Sequence, residues 1–344
     1  MTADISHLKG LPAPMDAATF YAARCLTKER LGGADALRAK LEEEGFVEDG
    51  KLTTGTKPFN VFARVASGAM SQPGMEKENI ALGAFGERFV VASNRPENDE
   101  HWESSDPEWI GKASMGKRHR FLTTRDLSWQ YFNVLSFGLD GDLSSLRSSI
   151  EFLEAMQDAA IAFASSTPGW SADPERLGLY FHCYPHNSVN SLHMHMVDLG
   201  CVGPTFEHFE YKNLPLADVL AVLKSELRSA LVQMRTSMQG LAESLHEAVK
   251  DISDPMEDEA DEQRASLSPQ SEHAVFPLNT SRKPPPPTGL PPARRIMEVE
   301  GAKEVVYAMQ KVEEQIDVAL EELERRKRVL AALNEQALML AYHG

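Results

Sequence analysis

Two histidines stand one residue apart in the stretch NSVNSLHMHMVDLG, Asn187 to Gly200. Imidazole titrates near neutrality, so His193 and His195, set in a run of Leu, Met and Val, are candidates for chemistry. In a β-strand residues two apart point to one side. The spacing therefore pairs the two rings and turns Leu192, Met194 and Met196 toward a core. Three readings fit the pair. The rings are simply solvated on an exposed strand face. Alternatively they are two metal ligands, which then need a third from His182 or His186 across a hairpin, because Asp198 alternates to the opposite face. Or one ring is a covalent nucleophile and the other donates to an oxygen or the leaving group. Under that last reading the preceding loop, PHNSVN, with Asn187 and Ser188, supplies small polar groups for phosphate oxygens.

The elements that must position these residues follow from pattern. Strands are predicted at 178–184 (GLYFHCY) and 191–199 (SLHMHMVDL), joined as a hairpin. A helix is predicted after an N-cap at Asp142 or Ser144, with Leu146, Ile150, Leu153, Met156 and Ala160 at helical spacing. Further strands are predicted at 130–138 (QYFNVLSFG), which places Asn133 along the cleft or at a strand edge, at 86–93 (GERFVVAS), and as a short piece at 59–65 (FNVFARV). A long polar loop separates 93 from the basic patch Lys117, Arg118, His119, Arg120 and Arg125, whose plain reading is a solvated face. Residues 16–45 read as amphipathic helices broken at Gly32-Gly33. From Pro215 a helix with a 3,4 apolar spacing runs to 250. Residues 251–296, acidic and then proline-rich, read as a disordered linker, and 297–344 carry a heptad-like seam that predicts a coiled coil, closed on its own chain or between two.

The segment YFHCYPHNSVNSLHMHMVDL resembles the signature of the histidine triad superfamily, in which alternating histidines close a strand after a phosphate-binding loop. His182 and Pro185 upstream, and the order of strand, helix and hairpin, are similar to its aprataxin and scavenger decapping branches. The likeness covers about residues 86–225. It implies an α+β fold with a HIT-like antiparallel sheet, plus the long C-terminal helices. It also implies His193 as the nucleophile that forms a nucleotidyl-histidine, and His195 assisting at the scissile phosphate. Asn187, Ser188, Ser191 and Asn133 are then the substrate-binding candidates. The chain departs from the pattern at the first triad position, which is Ser191. That histidine normally orients the nucleophile, so Ser191 or His182 must do so here. The geometry expected of an active site is an open cleft lined by 86–93, whereas cover by the C-terminal helix favours an interaction module.

Composition limits the alternatives. The chain has 344 residues, 42% hydrophobic and 25% charged, the balance of a globular protein. A net charge of −16 disfavours broad binding of nucleic acid backbones. No long apolar run or secretory pattern is present, and Cys25, Cys183 and Cys201 have no metal or disulfide spacing, which together predict a soluble intracellular protein, cytoplasmic or nuclear. Walker A, G-x-G-x-x-G and G-x-S-x-G motifs are missing. The domains expected are 1–85, 86–225, 215–250, 251–296 and 297–344. The expectation is a nucleotidyl hydrolase or transferase that needs no metal or other cofactor and acts on a nucleoside phosphate conjugate. The alternative is a degenerate domain that binds nucleotides or proteins, with a homodimer or protein partner joined through 297–344.

Overall fold

A computed structural model of the protein describes residues 13–55, 60–72 and 74–253. The described residues up to Ala230 form one compact unit, and those from Leu231 belong to a second. The chain opens with α1 (Ala17–Leu31) and α2 (Ala34–Glu43). Asp16 starts α1 by accepting the Thr19 amide at 2.8 Å, and Gly32, at φ +83°, ends it in the left-handed conformation that glycine tolerates best. A small hairpin of β1 (Val47–Glu48) and β2 (Lys51–Leu52) precedes α3 (Val61–Ala66) and α4 (Met75–Asn79).

The main sheet then builds up from β3 (Phe89–Ser93), followed by α5 (Pro96–Glu100) and β4 (His119–Thr124). Next come α6 (Leu143–Ser166), β5 (Leu177–Phe181), β6 (Met194–Asp198), α7 (Pro204–Phe209), β7 (Leu214–Pro215) and α8 (Leu216–Ser253). The strand order is β3-β4-β6-β5-β7, every pair antiparallel. This is the α+β class that the pattern of elements predicted, and β6 with its histidine lies at the centre. Asp142 caps α6 as expected, accepting the Ser145 amide at 3.0 Å.

Register assigns the faces. Phe121 of β4 and Tyr180 of β5 both stand opposite His195, and Ala92 of β3 stands opposite Phe121. The opposite face carries Phe89, Leu122, Met194 and Met196, all buried, with α6 packed on it through Phe152 (rings 5.5 Å from Phe89). Burying each of those side chains contributes about 1.5–3 kcal/mol, which makes the register expensive to slip. The histidine face is covered by α3, whose Phe62, Val65 and Ala66 cluster with Val90 and Ala92.

Three elements differ from their sequence patterns. The expected strand at 59–65 is the helix α3 over its described part. In so short a stretch Phe62, Ala63, Val65 and Ala66 suit a two-turn helix as well as an alternating strand. Asn60 decides between them, because its carbonyl accepts from Arg64 N–H and its amide is anchored on the Thr53 carbonyl at 3.0 Å. The expected strand at 130–138 is instead two short 3₁₀ turns, Trp129–Phe132 and Val134–Ser136. Most of its apolar residues are buried without strand pairing, with Phe132 and the following Leu139 packed against α2 and the small hairpin. Besides β5, the partner that the hairpin predicts, β6 pairs with β4, which the sequence hides behind basic residues. Arg118 pairs with Asp198 at 2.8 Å and Arg120 with Glu78 at 2.8 Å while His119 is buried, so only Lys117 and Arg125 of the patch are exposed as a solvated face. The long loop before β4 contains α5 and is pinned where Gly203 N–H reaches the Met115 carbonyl. Of the expected linker, 251–253 are instead the last residues of α8, and the rest of it and the expected coiled coil lie outside the described residues.

Candidate active site

Three adjacent strands bring four histidines together: His119 opens β4, His182 follows β5, and His193 and His195 enter and occupy β6. Their rings lie 4.1 Å (His182 to His195), 5.1 Å (His193 to His195) and 5.2 Å (His119 to His195) apart. His193 is 6% and His195 5% exposed.

The hydrogen bonds determine which nitrogen carries each proton. The Ser191 carbonyl accepts from His193 Nδ1 at 2.9 Å, and a carbonyl can only accept. Neutral His193 therefore bears its proton on Nδ1 and its lone pair on Nε2. On His119, Nδ1 faces two donors, the Met115 amide at 3.2 Å and Asn94 Nδ2 at 3.1 Å, so its proton sits on Nε2. That Nε2–H donates to His195 Nδ1 at 3.0 Å. His195 in turn carries its proton on Nε2, a buried atom with no partner. The fourth ring, His182, donates from Nε2 to Asn213 Oδ1 at 2.8 Å.

Electrostatics keep all four neutral. Burial is the main cause, holding His119 and His182 down to about 3 and His193 to about 4. His195 lies well below 6.5, through burial first and then through His182, His193, His119 and Lys212, each of which opposes a positive charge on it. The Ser191 carbonyl works the other way on His193 without reversing the effect. At neutral pH the site thus offers a lone pair on His193 Nε2 and an N–H on His195 Nε2.

The sequence candidates fall into two groups. His193, His195 and His182 come together, but the orienting group is neither the Ser191 hydroxyl nor His182. It is the Ser191 backbone carbonyl, presented by a residue at φ +74°, a conformation that costs a non-glycine residue about 1–3 kcal/mol. The Ser191 hydroxyl instead accepts the Ala63 amide of α3 at 3.3 Å. His182 packs against His195 rather than His193. Asn133 is a staple of the fold, for its Oδ1 accepts the Leu135 and Tyr184 amides and its Nδ2 donates to the His182 carbonyl at 3.1 Å. Asn187 braces its own loop on Val189 O and Asn190 Oδ1, and Ser188 is exposed on that loop. Burial pushes the Cys183 thiol up, as befits a packed side chain.

The expected cleft also differs. β4 separates β3 from β6, so 86–93 does not line the pair. Phe62 of α3 stacks on the His193 ring at 4.1 Å and 22°, and Phe121 meets both rings edge-on. Surface depressions of about 420 and 300 Å³ lie elsewhere, beside Gly32-Gly33 and between α6 and β5. Among the described residues no group of three His, Cys, Asp or Glu is arranged to hold a metal ion.

Four participants were missed in the sequence, Asn94, Phe62, Lys212 and Asn213, and His119 was read only as part of a basic patch. For His119 a signal existed, since His119, Phe121 and Thr123 lie two apart and share one face of a strand. The others are brought in by chain segments remote in sequence, which no local pattern marks. The proton assignment is testable. In ¹⁵N ring spectra His195 is expected as the Nε2–H tautomer and His193 as Nδ1–H. His119→Phe is expected to release the first, and Ser191→Ala to leave the second unchanged because the carbonyl remains. A shifted His193 tautomer in Ser191→Ala shows that the hydroxyl matters after all. No family model, no curated protein and no solved structure matches the chain.

Proposed function

We propose that the protein is a nucleotidyl hydrolase or transferase of the histidine triad kind, acting on the α-phosphate of a nucleoside phosphate conjugate. The observation that supports this reading is the bond from His193 Nδ1 to the Ser191 carbonyl. It directs the remaining lone pair, on Nε2, in the plane of the ring, while Phe62 occupies only the ring's face. In the reaction Nε2 attacks phosphorus, the bond to the leaving oxygen breaks, and a nucleotidyl-histidine forms. His195 Nε2–H meets an oxygen of the phosphate or leaving group, a neutral imidazole serving as donor. Water or another acceptor then attacks phosphorus, the P–N bond breaks and His193 is restored.

The depth of burial and the Phe62 stack favour a second reading, a domain that binds without turning over. One experiment separates them. The full chain is incubated with dinucleoside polyphosphates, nucleoside phosphoramidates and cap analogues, then quenched without acid and searched for an acid-labile nucleotide on His193. Turnover and adduct are both expected, and His193→Ala is expected to lower turnover by about 10³-fold or more. Failure of every substrate to turn over or label His193 rejects the enzyme reading. A nucleotide ligand, a dimer through 297–344 and an intracellular location belong to the same proposal. For the described residues the finding is that no helix is long and apolar enough to cross a membrane.

A further inference from the structure

The histidine cluster is bordered by donors that lack acceptors. His195 Nε2 and Asn213 Nδ2 are buried without a hydrogen-bond partner. Between them His182 ties the two residues together, bonding Asn213 Oδ1 and packing its ring on His195. Next in the chain, Lys212 is 5% exposed. Its ammonium reaches the His186 carbonyl at 3.3 Å and sits 3.9 Å from the centre of the Phe209 ring, the same ring that His182 meets edge-on. Neither a carbonyl nor a ring face cancels a full charge. No carboxylate among the described residues pairs with Lys212, and burial is what moves it, down to about 8.

The imidazoles that this ammonium opposes are His182 after β5 and His193 and His195 of β6, and the Tyr211 ring lies 5.9 Å away. Its own segment carries Glu207 and Glu210, and neither forms an ion pair with it. A buried charge without a counter-ion is destabilising, and each orphaned donor adds to that cost. A fold retains such an arrangement where a ligand supplies the missing acceptors.

We propose that Lys212 Nζ, Asn213 Nδ2–H and His195 Nε2–H form the cradle of a phosphate group. A tetrahedral anion has several terminal oxygens to meet three donors, two on consecutive residues and one on β6, and its charge pairs with the one ammonium. That the anion is a phosphate ester rests on the nucleotidyl-transfer reading, whereas the cradle itself rests on the unpaired donors. Lys212 and Asn213 are binding residues here, and they place the phosphorus before His193. Because the ammonium is already easy to deprotonate, anion affinity falls as pH rises through about 8.

The test uses the full chain and inorganic phosphate, with AMP as the ester and acetate as the control anion, read by calorimetry and thermal shift. The wild type is expected to bind phosphate and AMP saturably and acetate far more weakly. Lys212→Met is expected to weaken phosphate by at least about tenfold, the worth of a charge-assisted contact, while Lys212→Arg retains most of it. Asn213→Asp, which gives the lysine an internal partner and repels the ligand, is expected to lose binding as well. If the wild type binds phosphate and no substrate turns over or labels it, the catalytic reading fails and the cradle stands. Unchanged phosphate affinity in folded Lys212→Met, or acetate binding as tight as phosphate, overturns the cradle.

Discussion

Acidification is expected to unfold the protein between about pH 6.5 and 4, before the carboxylates have taken up most of their protons. His119 and His182 are held down to about 3 and His193 to about 4, with His195 well below its ordinary value, mainly because they are buried. In the unfolded chain the same rings titrate near 6.5. Protons therefore bind the unfolded state first. The stability contributed by these neutral rings is complete above about 6.5 and is lost as pH falls toward their folded values. Once all four titrate, the slope approaches roughly 5 kcal/mol per pH unit, against a typical domain stability of about 5–15 kcal/mol. Urea unfolding followed by circular dichroism at pH 7, 6 and 5 measures the slope, and His119→Phe is expected to make it shallower. Equal stability at pH 7 and 5 means the rings are accessible in solution and the closed arrangement is wrong.

The second large effect concerns Arg24, a fully buried guanidinium on α1 (0% exposed). It donates to Glu226 Oε1 and Oε2 of α8 at 2.8 and 2.7 Å, and to the carbonyls of Leu135, Phe137 and Gly138 at 3.2, 2.6 and 3.2 Å. One side chain thus closes the irregular segment that replaces the expected 130–138 strand, and joins it to the first and last helices of the unit. Arg24→Ala leaves the Glu226 carboxylate with Lys28 alone and strands three carbonyls, with an expected loss of about 3–5 kcal/mol. Burial works to raise Glu226, but Arg24 and Lys28 outweigh it and leave the carboxyl lowered. Its stabilising effect is therefore present above the ordinary carboxylate range and lost below it, at lower pH than the histidine effect. Denaturation at pH 7 measures the loss. Arg24→Lys is expected to recover only part of it, since an ammonium cannot make the bidentate contact. A loss under about 1 kcal/mol for Arg24→Ala contradicts this role.

Parts of the fold were plain in the residues. The 3,4 spacing from Leu146 to Ala160 and the cap at Asp142 marked α6, and the glycines at 32 and 33 divided α1 from α2. The alternation about His193 and His195 placed β6 and its two faces. Two of the three misread elements share one reason. A run of apolar residues reports burial, and burial is shared by strands and by packed irregular chain, so 130–138 looked like a strand. Conversely, β4 looked like a charged surface because its arginines find their partners, Asp198, Glu78 and Asp99, in other parts of the chain.

The candidate site divides the same way. Local spacing determines that His193 and His195 share a face, because the strand repeat is a property of the backbone alone. It also determines that Ser191 precedes them where a third histidine stands in the pattern that the chain resembles. Only the tertiary structure decides what Ser191 does, since its positive φ and the position of α3 turn the hydroxyl away and present the carbonyl. Likewise the proton on His195 is assigned by His119, 76 residues away in sequence. Hydrogen bonds between distant segments have no period, so a sequence can show which rings are available but not which nitrogen of each is free to react.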